Sequence, residues 1–178
     1  MPPRSATLAE DETDLRLFPP LRAGWARRGE EAPVPIGGGN AKRVVFGAIN
    51  IETGALLFLA RRRGRGADFE AFLAEVRFHY RGRHVALLLD EDSSHTAGRA
   101  RAAAERSGIE LLWLPKRSPH LNPMDHLWRH GKAVMSANHQ YASIDEQADR
   151  FIDYLAGLSR YEALNKAGLW SKDFWLNR

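Results

Sequence analysis

The sequence contains no cysteine and no long apolar run, and these two absences exclude several classes of protein. Without cysteine, the chain has neither a disulfide framework nor a thiolate metal site. The longest apolar runs, such as "ALLFLA" and "VALLL", fall far short of the roughly 18 residues that span a bilayer. The N-terminal region also lacks the pattern of a secretory signal. We therefore expect a water-soluble, cytoplasmic protein without a membrane partner.

Length and charge indicate the number of domains and the type of binding partner. A chain of 178 residues suffices for one well-buried core and is short for two, so we expect a single domain over residues 1–178. Lys and Arg number 26 against 22 for Asp and Glu, which gives a formal net charge of +4 and a pI near 9.7. This mild excess of positive charge favours a polyanionic partner such as DNA.

Hydrophobic periodicity predicts an α/β fold. A strand over residues 6–13 precedes a β-hairpin over residues 44–60, whose two runs join through a turn containing Gly54. A helix from Ala67, the buried strand "HVALLLD", an alanine-rich helix, the strand "IELLWLP" and two more helices follow. This order predicts a mixed sheet, with an antiparallel hairpin-led half and a parallel half, flanked by helices.

The segment "RSPHLNPMDHLWRHGK", residues 117–132, places an acid in the first turn of a predicted helix. Asn122 suits the N-cap, Pro123 suits the first helical position, and Asp125 falls where a carboxylate can bond to free backbone amides. Capping alone would explain Asp125 without any chemistry. The alternative is a metal ligand, and it requires other acids to meet Asp125 in the fold.

Two other acids are candidates for such a meeting. Asp11 is expected to close the first strand, and Asp90 closes the central one. If the first and fourth strands are neighbours, Asp11 and Asp90 lie side by side and the helix start brings Asp125 over them. Phosphoryl-transfer sites with two metal ions need such carboxylates, because Mg²⁺ prefers oxygen ligands and the ions lie about 3.5 to 4 Å apart. The three acids therefore form a candidate Mg²⁺ site, with Mn²⁺ as a substitute.

Several segments together carry a family resemblance: "DET", "LFPPLRAGWARRG", "VFGAINIETG", "LLLDEDSSH" and "LLWLPKRSPHLNPMDHLW". They resemble the catalytic domain of bacterial insertion-sequence transposases of the Tc/mariner superfamily, the insertion sequence 630 type of DDE superfamily endonuclease. The resemblance covers about residues 8–158. It implies a ribonuclease-H-like fold and assigns catalysis and metal binding to Asp11, Asp90 and Asp125. The 34 residues between Asp90 and Asp125 match the spacing of the superfamily.

The resemblance also implies an activity and partners. They are metal-dependent cleavage and strand transfer of DNA, with transposon ends and target DNA as partners, a homodimer that holds two ends, and a location at the bacterial nucleoid. Two departures stand against it: Glu91 and Asp92 follow Asp90 where the family has Asn, and the helix-turn-helix region of the family is not in this sequence. Two alternatives stay open, a non-catalytic remnant that binds DNA or assists assembly, and a cellular nuclease of the same fold.

Further residues have supporting roles in this hypothesis. His95 follows Asp90 as a histidine does in the family, and it either orients the metal site or simply packs. Asn122 would support the site as the helix cap. Basic side chains are candidates for contacts with DNA phosphates, although the "RRRGRG" loop could also be only a solvated surface. These candidates are Arg61, Arg62, Arg63, Arg65, Lys116, Arg117 and Lys132.

Overall fold

Five strands form one mixed sheet in the computed structural model, which describes residues 5–172 and 174–175. The strands are β1 (Ser5–Arg16), β2 (Lys42–Asn50), β3 (Leu56–Arg61), β4 (His84–Leu89) and β5 (Ile109–Trp113). Their order across the sheet is β3-β2-β1-β4-β5. β2 pairs antiparallel with β1 and β3, whereas β4 pairs parallel with β1 and β5. The predicted mixed, ribonuclease-H-like sheet with a hairpin-led half is confirmed.

The sheet has one edge at which most strands end. β3 runs in the same direction as β1, because both are antiparallel to β2. The carboxyl ends of β1, β3, β4 and β5 therefore share one side of the sheet, which we name the carboxyl edge. Gly54 closes the β2–β3 turn with a φ of 71°, a backbone conformation that glycine adopts without strain. Ligands of open α/β sheets bind at such an edge.

The first strand is longer than the sequence predicts. Asp11 does not close it, because β1 continues to Arg16 and stays paired with β2 through Arg16 and Lys42. The acidic run was read as a strand end, but its backbone hydrogen bonds are satisfied by the neighbouring strand. Asp11 therefore lies within a strand, opposite Gly47.

Helices cover both faces of the sheet. They are α1 (Gly66–His79), α2 (Ser93–Thr96), α3 (Gly98–Arg106), α4 (Pro123–Gly131), α5 (Ile144–Ala156) and α6 (Arg160–Lys166). The sequence did not predict the short α2, the separate α6 or the π-helical turn Lys132–Ser136 that extends α4. In the described part of the chain, none of these helices combines the length and apolarity needed to cross a bilayer.

Two hydrophobic cores lie on opposite faces of the sheet. Ala9 and Leu15 of β1 belong to the core beneath α4, α5 and α6, which Trp128 and Phe151 anchor. Ala6 and Leu8 belong to the other core, under α1 and α3. Side chains alternate along a strand, so odd-numbered residues of β1 face α4 and even-numbered residues face α1. This alternation decides where each acid of β1 points.

Candidate active site

Asp11 and Asp90 lie at the same level on neighbouring strands. The parallel pairing of β1 and β4 ends with Ala9 opposite Leu88, and each acid lies two residues beyond that pair. Ala9 and Leu88 both belong to the core under α4, so alternation directs Asp11 and Asp90 to the same face. The predicted neighbourhood of the first and fourth strands is therefore confirmed.

A buried asparagine fixes the start of α4 against β1. The Asn122 side-chain Nδ2 donates to the backbone oxygen of Glu10 at 2.7 Å, and its Oδ1 accepts from the Met124 backbone N at 3.0 Å. Just before it, the Trp175 Nε1 donates to the Leu121 carbonyl at 2.9 Å. Asn122 is therefore the expected N-cap, and it also ties the helix start to the residue preceding Asp11.

Asp125 lies in the first turn of this helix. The capping hypothesis pairs its carboxylate with backbone amides, but the carboxylate pairs with a side chain instead. Asn122 makes the cap bond, while Asp125 pairs with Arg129 at 3.0 Å, one turn later. The Asp125 side chain is 31% exposed. The cap bond of this helix therefore does not account for Asp125, whose carboxylate remains partly accessible.

The charges of the three acids act on one another. Burial is the largest cause, and together with the negative charges of Glu12, Asp90 and Asp125, in that order, it raises the pKa of Asp11 to about 8. A carboxyl group holds its proton this tightly when negative charge around it is not compensated. Asp90 and Asp125, although distant in sequence, are thus close enough to influence Asp11.

Lys132 is a partner of these acids rather than an exposed surface cation. It is partly buried where α4 passes into the π-helical turn, and burial lowers its pKa. The charges of Asp14, Asp11 and Asp125 oppose that lowering. The spacing of two helical turns from Asp125 correctly indicated a shared face, but the ammonium group lies near the carboxylates.

His95 contacts Asp90 directly. Its Nδ1 lies 3.1 Å from Asp90 Oδ1 and 3.2 Å from the Asp90 carbonyl, and the same Oδ1 accepts from the Asp92 backbone N at 3.0 Å. The His95 hydrogen bond is the main cause that lowers the pKa of Asp90. His95 is fully buried and stacks obliquely on Phe69, with ring centroids 4.6 Å apart. It therefore both packs and orients Asp90.

The sequence did not predict the partners on the other side of His95. Its Nε2 lies 2.9 Å from Glu12 Oε2 and 3.4 Å from Glu10 Oε2. Among the described residues, Glu10, Glu12 and His95 form the group of acidic and histidine side chains whose metal-ligand atoms all lie within 4.8 Å of one another. The carboxylates of the three predicted aspartates do not meet this criterion and are more widely spaced. The alternation of Glu10 and Glu12 around Asp11 was the available signal, since such acids must face away from Asp11.

The basic candidates differ in their surroundings. Lys116 and Arg117 line a cleft of about 510 Å³ together with Asp90 and Glu91. Lys116 pairs with Glu91 at 3.2 Å, so one of the two extra acids after Asp90 has a cation beside it. Arg117 is exposed and has a φ of 58°, a conformation rare for residues other than glycine and frequent at functional sites.

The arginine loop lies farther along the same edge. Arg61 ends β3 and lies 3.9 Å from Asp68, while Arg62, Arg63 and Arg65 are exposed. β3 ends at the carboxyl edge, two strands away from β1. The loop and the cleft are thus on the side of the sheet where Asp11 and Asp90 lie.

Known proteins are similar to this chain in sequence. Residues 7–147 match the family described as DDE superfamily endonuclease. The chain is 27% identical over 137 residues to an insertion element IS630 uncharacterized 39 kDa protein of Shigella sonnei, covering 76% of this chain and 40% of that protein. It is 31% identical over 71 residues to the transposable element Tcb2 transposase of Caenorhabditis briggsae, covering 36% of this chain and 26% of that protein.

Solved structures agree on the fold. A Mos1 transposase paired-end complex with left transposon end matches with a TM-score of 0.72 at 17% identity, over 92% of this chain and 52% of that one. The catalytic domain of Mos1 mariner transposase matches with a TM-score of 0.65 at 16% identity, over 92% and 76%. The chain thus spans less than half the length of these two curated relatives and about half of the complexed transposase. Since the family match covers well over half of its residues, the chain belongs to the DDE superfamily of endonucleases.

Proposed function

We propose that this chain is a transposase catalytic domain that cleaves DNA strands and transfers them by divalent-metal chemistry. One observation carries the proposal: Asp11, Asp90 and Asp125 lie on one face of the sheet, where the charges of Asp90 and Asp125 add to the burial that raises the pKa of Asp11. A cleft with Lys116 and Arg117 adjoins Asp90. Clustered carboxylates next to a cleft with basic side chains are suited to metal-assisted chemistry on a phosphodiester.

The three carboxylates fit Mg²⁺ or Mn²⁺. Both ions prefer oxygen donors, and a cation would displace the proton that burial and neighbouring acids keep on Asp11. When bound, the metal supplies Lewis acidity that activates a water or a DNA 3′-hydroxyl and steadies the leaving oxygen. Solved Mos1 paired-end complexes with Mg and with Mn are similar to this chain in fold.

The remaining residues of the site position and balance the acids. Asn122 anchors the helix that carries Asp125 to the strand that carries Asp11. His95 holds Asp90 through its Oδ1. Lys132 supplies positive charge among the acids, so its role in the proposal is electrostatic balance rather than an exposed phosphate contact.

DNA is the proposed partner, with transposon ends and target DNA as its two forms. Lys116, Arg117 and the exposed arginines of the 61–65 loop would contact phosphates along the carboxyl edge. We also propose that two copies act together, since the similar Mos1 transposase forms a paired-end complex. Light scattering with and without DNA containing a transposon end measures this, and a single copy on each DNA would contradict it.

A nicking assay tests the proposed activity. Supercoiled DNA and an end-bearing duplex are incubated with Mg²⁺ or Mn²⁺ and either the parent or Asp90→Asn. The parent should nick and the variant should not, because Asp90 is a proposed metal ligand. Asp153→Asn makes the same chemical change at an exposed position of α5 and should leave nicking intact. Equal rates for the parent and Asp90→Asn would end the catalytic assignment.

Metal binding separates the catalytic domain from a non-catalytic remnant. A functional acid cluster should bind Mn²⁺ and gain thermal stability from it, since a ligand that binds only the folded state raises the free energy of unfolding. Absence of any Mn²⁺-dependent rise in the melting temperature would favour a remnant that binds DNA without cutting it.

A further inference from the structure

A second group of metal-ligand side chains lies behind the proposed catalytic acids. Glu10 and Glu12 alternate with Asp11 along β1 and therefore face α1 and α2 rather than α4. His95, from the short helix α2, meets them there. Their donor atoms all lie within 4.8 Å of one another.

The buried carboxylate of Glu10 requires a proton or a cation to neutralise it. The residue is 0% exposed, and neither carboxylate oxygen has a hydrogen-bond partner among the residues that the structure describes. Its Oε2 lies 3.4 Å from His95 Nε2. A buried carboxylate destabilises the fold unless a proton or a cation neutralises it. The cluster holds two glutamates against one imidazole, so an additional cation fits the balance of charge.

The orientation of His95 is that of a metal ligand. Its Nδ1 lies within hydrogen-bond distance of Asp90 Oδ1 and the Asp90 carbonyl, which directs Nε2 toward the glutamates. Histidines that bind metals usually donate their other ring N–H to a carboxylate or a carbonyl in this way. The imidazole is also held by its contact with the Phe69 ring.

The distances also suit a shared ion. His95 Nε2 lies 3.4 Å from Glu10 Oε2 and 2.9 Å from Glu12 Oε2. Donors bound to one ion at about 2.0 to 2.2 Å are separated from one another by roughly 3.0 to 3.5 Å in octahedral or tetrahedral geometry. Glu12 is partly exposed and offers a path from solvent.

We propose that Glu10, Glu12 and His95 bind one divalent transition-metal ion, Zn²⁺ or Mn²⁺, on the face of β1 opposite to the catalytic acids. The imidazole nitrogen favours such ions over Mg²⁺. This ion would not take part in cleavage. It would fix His95, and through His95 it would fix Asp90, so the site is structural and independent of whether the proposed catalytic acids cut DNA.

The test uses a chain in which the proposed catalytic metal site is removed. The double variant Asp11→Asn/Asp125→Asn is loaded with Mn²⁺ and studied by pulsed electron paramagnetic resonance. One bound Mn²⁺ per chain with coupling to a ¹⁴N nucleus is expected, because His95 supplies nitrogen whereas the catalytic aspartates supply only oxygen. Zn²⁺ should displace this Mn²⁺ in competition.

Two further variants give the result its specificity. Glu10→Gln in the double-variant background should weaken Mn²⁺ binding at least about tenfold and remove the nitrogen coupling. Glu110→Gln, at an exposed glutamate of β5, makes the same chemical change and should alter neither. If Glu10→Gln does not fold, the same measurement on Glu12→Gln decides.

Two results would overturn the site. One is an absence of nitrogen-coupled Mn²⁺ in the double variant, which would indicate that a protonated His95 alone bridges the glutamates. The other is unchanged coupling in both glutamate variants. A failure of the proposed catalytic function is visible separately, as absence of nicking by the parent.

Discussion

The two faces of β1 both carry acidic side chains, but the surroundings of these acids differ. Toward α4, Asp11 is joined by Asp90 and Asp125, and positive charge comes from Lys132 and the basic cleft beside Asp90. Toward α1, Glu10 is sealed from solvent against the fully buried His95. One face leaves carboxylates where a substrate can reach them, and the other encloses them.

This difference shows that alternation along one strand is enough to place neighbouring acids in two different environments. His95 connects the sets, since one ring nitrogen contacts Asp90 and the other faces the glutamates. A change on the open face should therefore reduce the rate of DNA cleavage, and it should alter stability mainly through the charge of the acid that is replaced. A change in the anchors between faces and helices should affect stability and chemistry together.

The largest expected effect is on the open face. Asp11→Asn should reduce Mg²⁺-dependent nicking by at least about 100-fold, above the roughly 10- to 100-fold that loss of an outer partner of a metal ligand costs. Asp14→Asn, at an exposed acid of the same strand that pairs with Lys42, is the matched control. Initial nicking rates measure both. Similar nicking rates for the two variants would contradict the proposal that Asp11 acts in cleavage.

The next effect concerns the asparagine that joins α4 to β1. Asn122→Ala should lower the free energy of unfolding by about 2 to 4 kcal/mol, because it removes a helix cap and leaves the Glu10 carbonyl without its donor. Asn122→Ser keeps a cap oxygen and should lose less. Urea denaturation gives the stabilities, and nicking should fall in both variants because Asp125 loses its anchor. Full activity in Asn122→Ala would contradict this positioning role.

Gly47 tests the packing that places the helix. A Cβ at this position would lie 2.5 Å from Trp128 Cη2 and 2.8 Å from Met124 Cε, so α4 would have to shift. We expect Gly47→Ala to destabilise the protein by about 1 to 3 kcal/mol, as overpacking of cores does. Gly38→Ala, where a Cβ meets nothing within 4 Å, should be nearly neutral. Equal melting temperatures for the two variants would argue against close packing of α4 over β2.

The smallest expected effect is a pH dependence without metal. The pKa of Asp11 is about 8 in the folded state against an ordinary value of 3.8 for an aspartate, so the stability it contributes is complete below pH 4 and is lost as pH rises through 8. The free energy of unfolding of Asp11→Asn, relative to that of the parent, should therefore increase by about 1 to 2 kcal/mol from pH 5 to pH 9. One pKa unit corresponds to about 1.4 kcal/mol, and solvent screens part of it. Denaturation in EDTA at both pH values measures this. A constant difference would show that Asp11 titrates normally.

Local rules made the helix start and the hairpin predictable. Asn122 and Pro123 have side chains whose preferences for the N-cap and first helical position do not depend on distant residues. Gly54 likewise closes the turn between β2 and β3. The all-apolar strand β4 correctly indicated a central position, which put Asp90 at the carboxyl edge.

Other features depended on pairing and packing that no local pattern records. The acids of β1 suggested a strand end at Asp11, yet pairing with β2 extends the strand to Arg16. Lys132 was predicted to contact a DNA phosphate, and its nearness to the acids of β1 was not predicted, because it depends on the π-helical turn that follows α4. The glutamate partners of His95 were missed because 84 residues lie between Glu10 and His95 along the chain.

By itself, the sequence determined which residues can bind a metal, where most strands and the longer helices form, and which family the motifs resemble, since these follow from side-chain chemistry and short-range backbone preferences. Only the tertiary structure decided which acids share a face, because that depends on strand register and on the Asn122 bond between α4 and β1. A shift of one residue in the register of β1 would exchange Asp11 with the buried glutamates. The free energy that prevents this shift comes from the packing of Ala9 and Leu15 into one core and Ala6 and Leu8 into the other.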